Sequence, residues 1–397
     1  MRVLMVSDVY FPRINGVSTS IETFRRTLAA EGVEVRLVAP DYNQPSSEDW
    51  IVRVPGRSVP RDPEDRLVRW RAMNAAVRLA SRDCDLIHVQ TPFVAHYAGV
   101  RSARRHGLPV IATYHTLFEE YLQHYAPFLP ARLLRAQARA WSRRQCNALD
   151  AVVVPSRAMQ SRLTAYGVQK PLHVLPTGIP LAQFKNGDGA AFRARHNIAP
   201  EQPVALFVGR VAHEKNIGFL LEAMTRLRQS CPHALLLVTG EGPAMHDLQK
   251  QAVRLDIAGQ VRFLGYLDRA SDLPDCYAAA NAFVFASRTE TQGLVLLEAM
   301  AAGLPVIALS AMGTADILET RQGAIVPPDD PAAFGDALAD FFNQPQRWPA
   351  LAAAARDYAE SWSDSAMAAR LAGLYGSLIR NYLEGKAWKA RTKAKPA

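Results

Sequence analysis

Short runs of apolar, β-branched and aromatic residues alternate along this chain with longer stretches whose apolar positions recur every three or four residues, the pattern of strands joined by helices. The clearest unit is AFVFASRTETQGLVLLEAMAAGLPVIAL, residues 282–309. Phe283 to Ala286 predicts a strand covered on both faces, and Ser287 to Gln292 a polar turn. Gly293 to Ala302 predicts a helix closed by Gly303, and Leu304-Pro305 leads into the next apolar run. Nearer the start, Val3 to Ser7 predicts a first strand and Asp8 to Gly16 the loop after it. Val17 to Ala30 predicts a helix capped by Ser18 or Thr19 and ended by Gly32, before a strand at Val33 to Ala39. Further buried strands are predicted at Leu86–Val89, Pro109–Thr113, Asp150–Pro155, Val204–Val208 and Leu235–Thr239. Such alternation gives an α/β fold with parallel sheets, whose ligands gather where strands end and helices begin.

At 397 residues the chain exceeds one small core, so two domains are expected. Gly178, Pro180 and the cluster Asn186-Gly187-Asp188-Gly189 read as a hinge and connector. This places an N-terminal domain at 1–178 and a second at 179–365. Helices over about 366–385, entered near Trp362, return to the first domain, and 386–397 is expected to be a basic, disordered tail. The opening apolar run is too short for a signal peptide and lacks a cleavage site, and no run approaches the ~20 uncharged residues of a membrane span. Cys84, Cys146, Cys231 and Cys276 have no paired spacing, which suits reduced thiols in a cytoplasmic protein. The net charge of +9 is unevenly placed: 24 basic against 15 acidic residues over 1–180, 15 against 21 over 181–365, and 7 against 1 over 366–397. An acidic surface meeting the N-terminal half is therefore expected.

Glu298 lies among apolar neighbours, Leu294-Val295-Leu296-Leu297 before it and Ala299-Met300 after, where a charge needs compensation. Two readings stand: it pairs with a basic side chain, or it faces a cleft and holds a polar ligand. Glu290 precedes it in the turn. At helical rise the two are up to roughly 12 Å apart, a separation suited to the two ends of one extended ligand. Backbone amides of Thr291, Gln292 and Gly293 open the helix between them and favour an anion or hydroxyl. Arg210 and Lys215 follow the strand Val204–Val208 in a loop at the ligand edge, suited to a departing diphosphate or to a surface pair with Glu214. Asn15-Gly16 opens a helix in the same manner, and fits either a diphosphate contact or an ordinary βα turn. Leu235 to Pro243 has a G-x-G without the third glycine of a dinucleotide fingerprint.

Glu290, seven residues, then Glu298-Ala299-Met300-Ala301-Ala302-Gly303-Leu304-Pro305-Val306 resembles the E-x7-E signature of retaining glycosyltransferases of family 4. The resemblance implies the GT-B fold, two Rossmann-like domains facing across a cleft. It implies that Glu290 and the amides of Thr291, Gln292 and Gly293 hold the donor sugar, that Glu298 binds the ribose, and that Arg210 and Lys215 hold the diphosphate. Gly16 would touch the donor phosphates, and the segment Arg262-Phe263-Leu264-Gly265-Tyr266 is similar to the one whose backbone, at Gly265, reads the base. Many members carry Glu-Gly-Phe-Gly where this chain has Glu290-Thr291-Gln292-Gly293, so the sugar is not legible from the familiar version.

His115 follows the strand Pro109–Thr113 at its ligand edge. A lone histidine is by default a structural imidazole, but the family match puts His115 near the reacting sugar. More narrowly, VIATYHTLFEEYLQHY (110–125) resembles bacterial diacylglycerol glucosyltransferases and related lipid mannosyltransferases. Asp83-Cys84-Asp85 has the form of a metal motif from a different glycosyltransferase fold but precedes its strand, away from the ligand edge, so no metal is expected. In ARLLRAQARAWSRR (131–144), Arg132, Arg135, Arg139 and Arg143 share one helical sector, opposite Leu134, Ala138 and Trp141. Arg66, Arg69, Arg71 and Arg78 suggest a second basic helix. Both are read either as solvated faces or as an interface for anionic phospholipid, with Trp141, Tyr125 and Phe128 at the boundary.

The expected activity is metal-independent transfer of a hexose, with retention, from a nucleotide-diphosphate sugar such as UDP-glucose to a membrane lipid such as diacylglycerol, at the inner face of a bacterial plasma membrane. No cofactor and no nucleic acid are expected. The alternatives are a GDP-mannose-dependent α-mannosyltransferase, a nucleotide-sugar-binding protein without transfer activity, and a sugar-nucleotide 2-epimerase.

Overall fold

In the computed structural model, which describes residues 1–42, 48–59, 62–115 and 131–393, the apolar runs are strands of two parallel sheets. The chain divides into two units, Met1–Gly178 with Asp364–Ala397, and Ile179–Ser363.

In the first unit, β1 (Arg2–Val6), β2 (Glu34–Pro40), β3 (Ile51–Val54), β6 (Leu86–Val89), β7 (Val110–Thr113), β8 (Ala151–Val154) and β9 (Leu172–Val174) form one sheet in the order β3-β2-β1-β6-β7-β8-β9. A separate antiparallel hairpin joins β4 (Gly56–Val59) to β5 (Asp62–Val68). Strand order reverses between β1 and β6, so the loops leaving them open a crevice at the sheet's C-terminal edge. The core includes Met5, Leu37, Leu86 and Ile111 from the strands, and Ile21 and Phe24 from the helix Gly16–Leu28. Met367, Leu371 and Tyr375 join it from the long helix Asp364–Lys393. Tyr375 Oη lies 2.6 Å from His88 Nδ1, and His88 Nε2 lies 2.7 Å from Thr113 Oγ1. Both nitrogens of this buried imidazole are thereby satisfied while it ties the C-terminal helix to the sheet.

The second unit orders its strands as β12 (Val261–Gly265), β11 (Leu235–Thr239), β10 (Val204–Val208), β13 (Ala282–Phe285), β14 (Val306–Ala308) and β15 (Ala324–Ile325). Counted within the unit this is the Rossmann order 3-2-1-4-5-6, with its switch point between β10 and β13. The chain enters and leaves the unit side by side, the Ile179 amide donating to the Trp362 carbonyl at 3.0 Å.

Several expectations are corrected. The first helix is capped by Asn15, whose side chain accepts the Ser18 amide at 2.9 Å, and not by Ser18 or Thr19, because the helix begins at Gly16. Arg66 lies on β5 and Arg69 precedes the helix Trp70–Ala80, so the upstream basic helix keeps only Arg71 and Arg78. The last helix spans Asp364–Lys393 and so runs past residue 385, with Gly373, Gly376 and Gly385 inside it. The expected hinge at 186–189 is packed: a Cβ at Gly187 would stand 2.2 Å from the Pro274 carbonyl oxygen, and one at Gly189 2.3 Å from that of Ala278. Those glycines let the backbone approach the helix Asp272–Ala279, while Asp188 caps the helix Gly189–Arg195 by accepting the Ala191 amide at 2.8 Å.

Candidate active site

In the second unit, the loops after β10 and β13 leave adjacent strands at the switch point. The loop after β10 carries Arg210, then a short 3₁₀ turn His213–Lys215, then Asn216 before the helix Ile217–Leu227. That after β13 carries Ser287, Glu290, Thr291, Gln292 and Gly293 before the helix Leu294–Ala301. Gly293 takes a left-handed conformation, φ 90°, which turns the chain into the helix at low strain only without a side chain. The helix thus begins at Leu294, one residue later than expected.

The Lys215 ammonium bonds the Glu290 carboxylate, joining residues 75 positions apart. Asn216 Nδ2 donates to the Ala286 carbonyl at 3.0 Å, and the Ser287 hydroxyl donates to the Glu214 carbonyl at 3.1 Å. Arg210 is exposed, with Glu214 3.9 Å away, a surface pair of little energetic consequence that leaves its guanidinium accessible to an anion. Gly313 supports the glutamate loop from below: its amide donates to the Glu290 carbonyl at 2.8 Å, and a Cβ there would stand 2.2 Å from the Thr291 carbonyl oxygen. Gln292 is buried beside it.

Glu298 is 4% exposed on the helix Leu294–Ala301. Of the two readings of its burial, a basic partner is present: Arg269 Nη2 donates to one carboxylate oxygen at 2.5 Å, and the Tyr277 hydroxyl to the other at 3.0 Å. The carboxylate raises the Arg269 guanidinium above its ordinary range, and burial pushes the Tyr277 phenol well above its own. Each oxygen keeps a lone pair for a further donor, so a basic partner and a polar ligand are compatible. Gly265 ends the edge strand β12 with φ +71°, and its carbonyl accepts from the Gly240 amide at 2.7 Å and the Thr239 hydroxyl at 3.0 Å.

In the first unit, Gly16 is exposed at the N-terminus of its helix, and a Cβ there would meet nothing within 4 Å. His115 follows β7, with Nε2 3.0 Å from Gln90 Oε1; burial lowers its pKa to about 4, so the ring is neutral at physiological pH. Asp8, at the end of β1, caps the helix Val94–His106 from outside, both oxygens accepting the Ala95 amide at 3.1 Å and one also the Thr91 hydroxyl at 2.7 Å. Burial nevertheless raises its pKa to about 6. On the helix Ala131–Asn147, Arg135, Arg139 and Arg143 are exposed and Leu134 and Ala138 buried. Trp141 Nε1 donates to the Tyr97 hydroxyl at 3.0 Å and its ring centroid lies 6.1 Å from that of Phe93. Tyr125, Phe128 and the side chain of Arg132 lie outside the described residues. Asp83 and Asp85 fasten the start of β1, the Asp85 carboxylate accepting the Arg2 amide at 2.8 Å. Among the described residues no group of three His, Cys, Asp or Glu side chains could hold a metal, and no helix is long and apolar enough to cross a membrane.

Sequence reasoning missed Arg269, Tyr277, Asn216 and Asp8. The apolar setting of Glu298 demanded a partner but gave no means of choosing Arg269 among the many arginines.

Two family models match the chain: Glycosyltransferase Family 4 over 14–183 and Glycosyl transferases group 1 over 188–362. The chain is 35% identical over 317 residues to an alpha-monoglucosyldiacylglycerol synthase of Streptococcus pneumoniae, covering 78% of this chain and 71% of the relative. It is 30% identical over 380 residues to a GDP-mannose-dependent alpha-mannosyltransferase of Mycobacterium tuberculosis, covering 91% and 93%. Among solved structures, Anabaena HepE in complex with UDP is similar in fold, with a TM-score of 0.75 at 16% identity over 95% of this chain and all of that one.

Proposed function

Since this chain belongs to the group 1, family 4 glycosyltransferases and is a hexosyltransferase of the GT-B fold, we propose that it moves glucose from UDP-glucose to diacylglycerol or a closely related membrane lipid. The observation that carries the donor half is the Lys215–Glu290 pair at the switch point, with Arg210 beside it in sequence and open to solvent. A sugar diphosphate offers both the anion that Arg210 and Lys215 attract and the hydroxyls that Glu290 accepts. The amides of Thr291, Gln292 and Gly293 add donors at a helix N-terminus. Glu298, held by Arg269 and Tyr277, takes the ribose hydroxyls on its remaining lone pairs, and the chain turning at Gly265 takes the base. Gly16 and His115 stand at the equivalent edge of the first unit, and we assign them the donor phosphates and the reacting sugar.

The chemistry follows from this assignment. As the bond from the anomeric carbon to the leaving phosphate oxygen breaks, negative charge grows on the diphosphate beside Arg210 and Lys215. The departing phosphate oxygen takes the proton of the acceptor hydroxyl, whose oxygen bonds the anomeric carbon on the same face, so configuration is retained. No metal takes part in this scheme, the two cations serving the diphosphate. For the acceptor, exposed Arg135, Arg139 and Arg143, which share one face of their helix, suit the headgroup boundary of an anionic bilayer at the inner face of the plasma membrane. A second reading, mannosyl transfer from GDP-mannose to a lipid or cell-surface glycan, draws on the mycobacterial relative, whose match runs further along the chain.

Incubation with radiolabelled UDP-glucose or GDP-mannose, with and without vesicles containing diacylglycerol, separates these readings. A labelled lipid from UDP-glucose is the expected product. Label on lipid only from GDP-mannose supports the second reading, and donor turnover independent of any acceptor refutes both.

A further inference from the structure

Asparagine is among the best helix caps, yet the side chain of Asn216, at the N-cap of the helix Ile217–Leu227, makes no capping bond. Its backbone is left-handed, φ 56° and ψ 35°, a conformation that only glycine and, less readily, asparagine or aspartate adopt without marked strain. Its amide instead crosses to the neighbouring strand end and donates to the Ala286 carbonyl at 3.0 Å. The two residues before it reach the same stretch. The Glu214 carbonyl accepts from the Ser287 hydroxyl at 3.1 Å and the Thr289 hydroxyl at 3.4 Å, and Lys215 bonds Glu290. Three consecutive residues of one loop are thus fastened to the start of the next.

We propose that Asn216 is a positioning residue that sets the register between the Lys215 ammonium and the Glu290 carboxylate, so that diphosphate and hexose are gripped in one geometry. This rests on the donor assignment above and adds a residue that touches neither group. The ion pair alone fixes a distance but not a direction, because a lysine side chain is long and rotatable. The Asn216 amide and the fully buried Ser287 hydroxyl fix the two backbones from which those side chains project. Displacement of one loop against the other by a fraction of an ångström misaligns the sugar with its leaving group while each loop still offers its charge. Turnover therefore falls further than nucleotide affinity.

Asn216→Gly tests this cleanly, since glycine keeps the left-handed backbone and removes only the amide. With whichever of UDP-glucose and GDP-mannose turns over, kcat is expected to fall about tenfold or more. The Kd for the matching nucleoside diphosphate, by calorimetry, should stay within about twofold. Ser287→Ala, which removes a second bond of the same brace, should shift kcat in the same direction by a smaller factor, and it carries the test if the glycine variant does not fold. Lys215→Ala is the control on the site itself. If it is crippled while Asn216→Gly and Ser287→Ala keep wild-type kcat, the brace is refuted and the donor assignment stands. If Lys215→Ala turns over normally, the assignment fails and the brace with it. Equal losses of kcat and nucleotide affinity in Asn216→Gly also overturn the proposal, because they report general loosening.

Discussion

Acid should loosen the first unit well before its carboxylates titrate in bulk. His88, His96 and His115 are held neutral by burial, with pKa values of about 3, 4 and 4. In the unfolded chain each protonates near 6.5, so the unfolded state gains protons first as pH falls and stability drops below that point. Between pH 7 and pH 5.5 each histidine should remove about 1.3 kcal/mol, close to 4 kcal/mol together. Asp8 acts in the opposite sense: its pKa of about 6 lies above the unfolded value, so its contribution is present at low pH and lost as pH rises through roughly 4 to 6. Acidification to pH 5.5 returns a little under ~1 kcal/mol from this group, leaving a net loss of about 3 kcal/mol. With an urea slope of about 2 kcal/mol per molar, the midpoint should fall by roughly 1.5 M. Pulse proteolysis across a urea series, with fragments of the first unit identified by mass, measures it without assuming that both units unfold together. His88→Gln, whose amide can serve both the Tyr375 and Thr113 hydroxyls, should remove about 1.3 of those roughly 3 kcal/mol. An unchanged midpoint between the two pH values, or a variant with the wild-type slope, would refute the reasoning.

Arg269→Met should leave the Glu298 carboxylate buried without its cation, destabilising the second unit by about 3 kcal/mol or more in thermal unfolding and weakening UDP binding in calorimetry. Equal stability would mean that Tyr277 alone satisfies the carboxylate. Arg210→Ala or Lys215→Ala should lower turnover by about 10²- to 10³-fold with little change in nucleoside monophosphate affinity, since the charge they meet grows as the bond breaks. Steady-state rates beside titrations of UMP and GMP decide this. Co-sedimentation with vesicles should rise with anionic lipid content, fall with salt and drop sharply when Arg135, Arg139 and Arg143 become glutamine, each arginine contributing about 1 kcal/mol near the surface. Wild-type protein indifferent to anionic vesicles at low salt would reduce that helix to a solvated face.

Whatever depends on neighbours in sequence is legible in the sequence itself. Apolar runs such as Val204–Val208 and Ala282–Phe285 marked strands, glycines such as Gly32 marked helix ends, and the spacing of Glu290 and Glu298 marked a ligand edge and a family. Misreadings fell at element ends, as at Asn15, where one cap decides the boundary. The sheet order was not legible, because it depends on which distant strands pair, and periodicity says only that a strand is buried. The partners of the charged residues were likewise decided in three dimensions. Arg269 meets Glu298 from 29 positions away, Lys215 meets Glu290 from 75, and Tyr375 reaches His88 from 287. A buried charge or imidazole announces in sequence that it needs a partner; which side chain supplies it is settled by how the βα units wind onto their sheets, bringing remote loop ends to one edge.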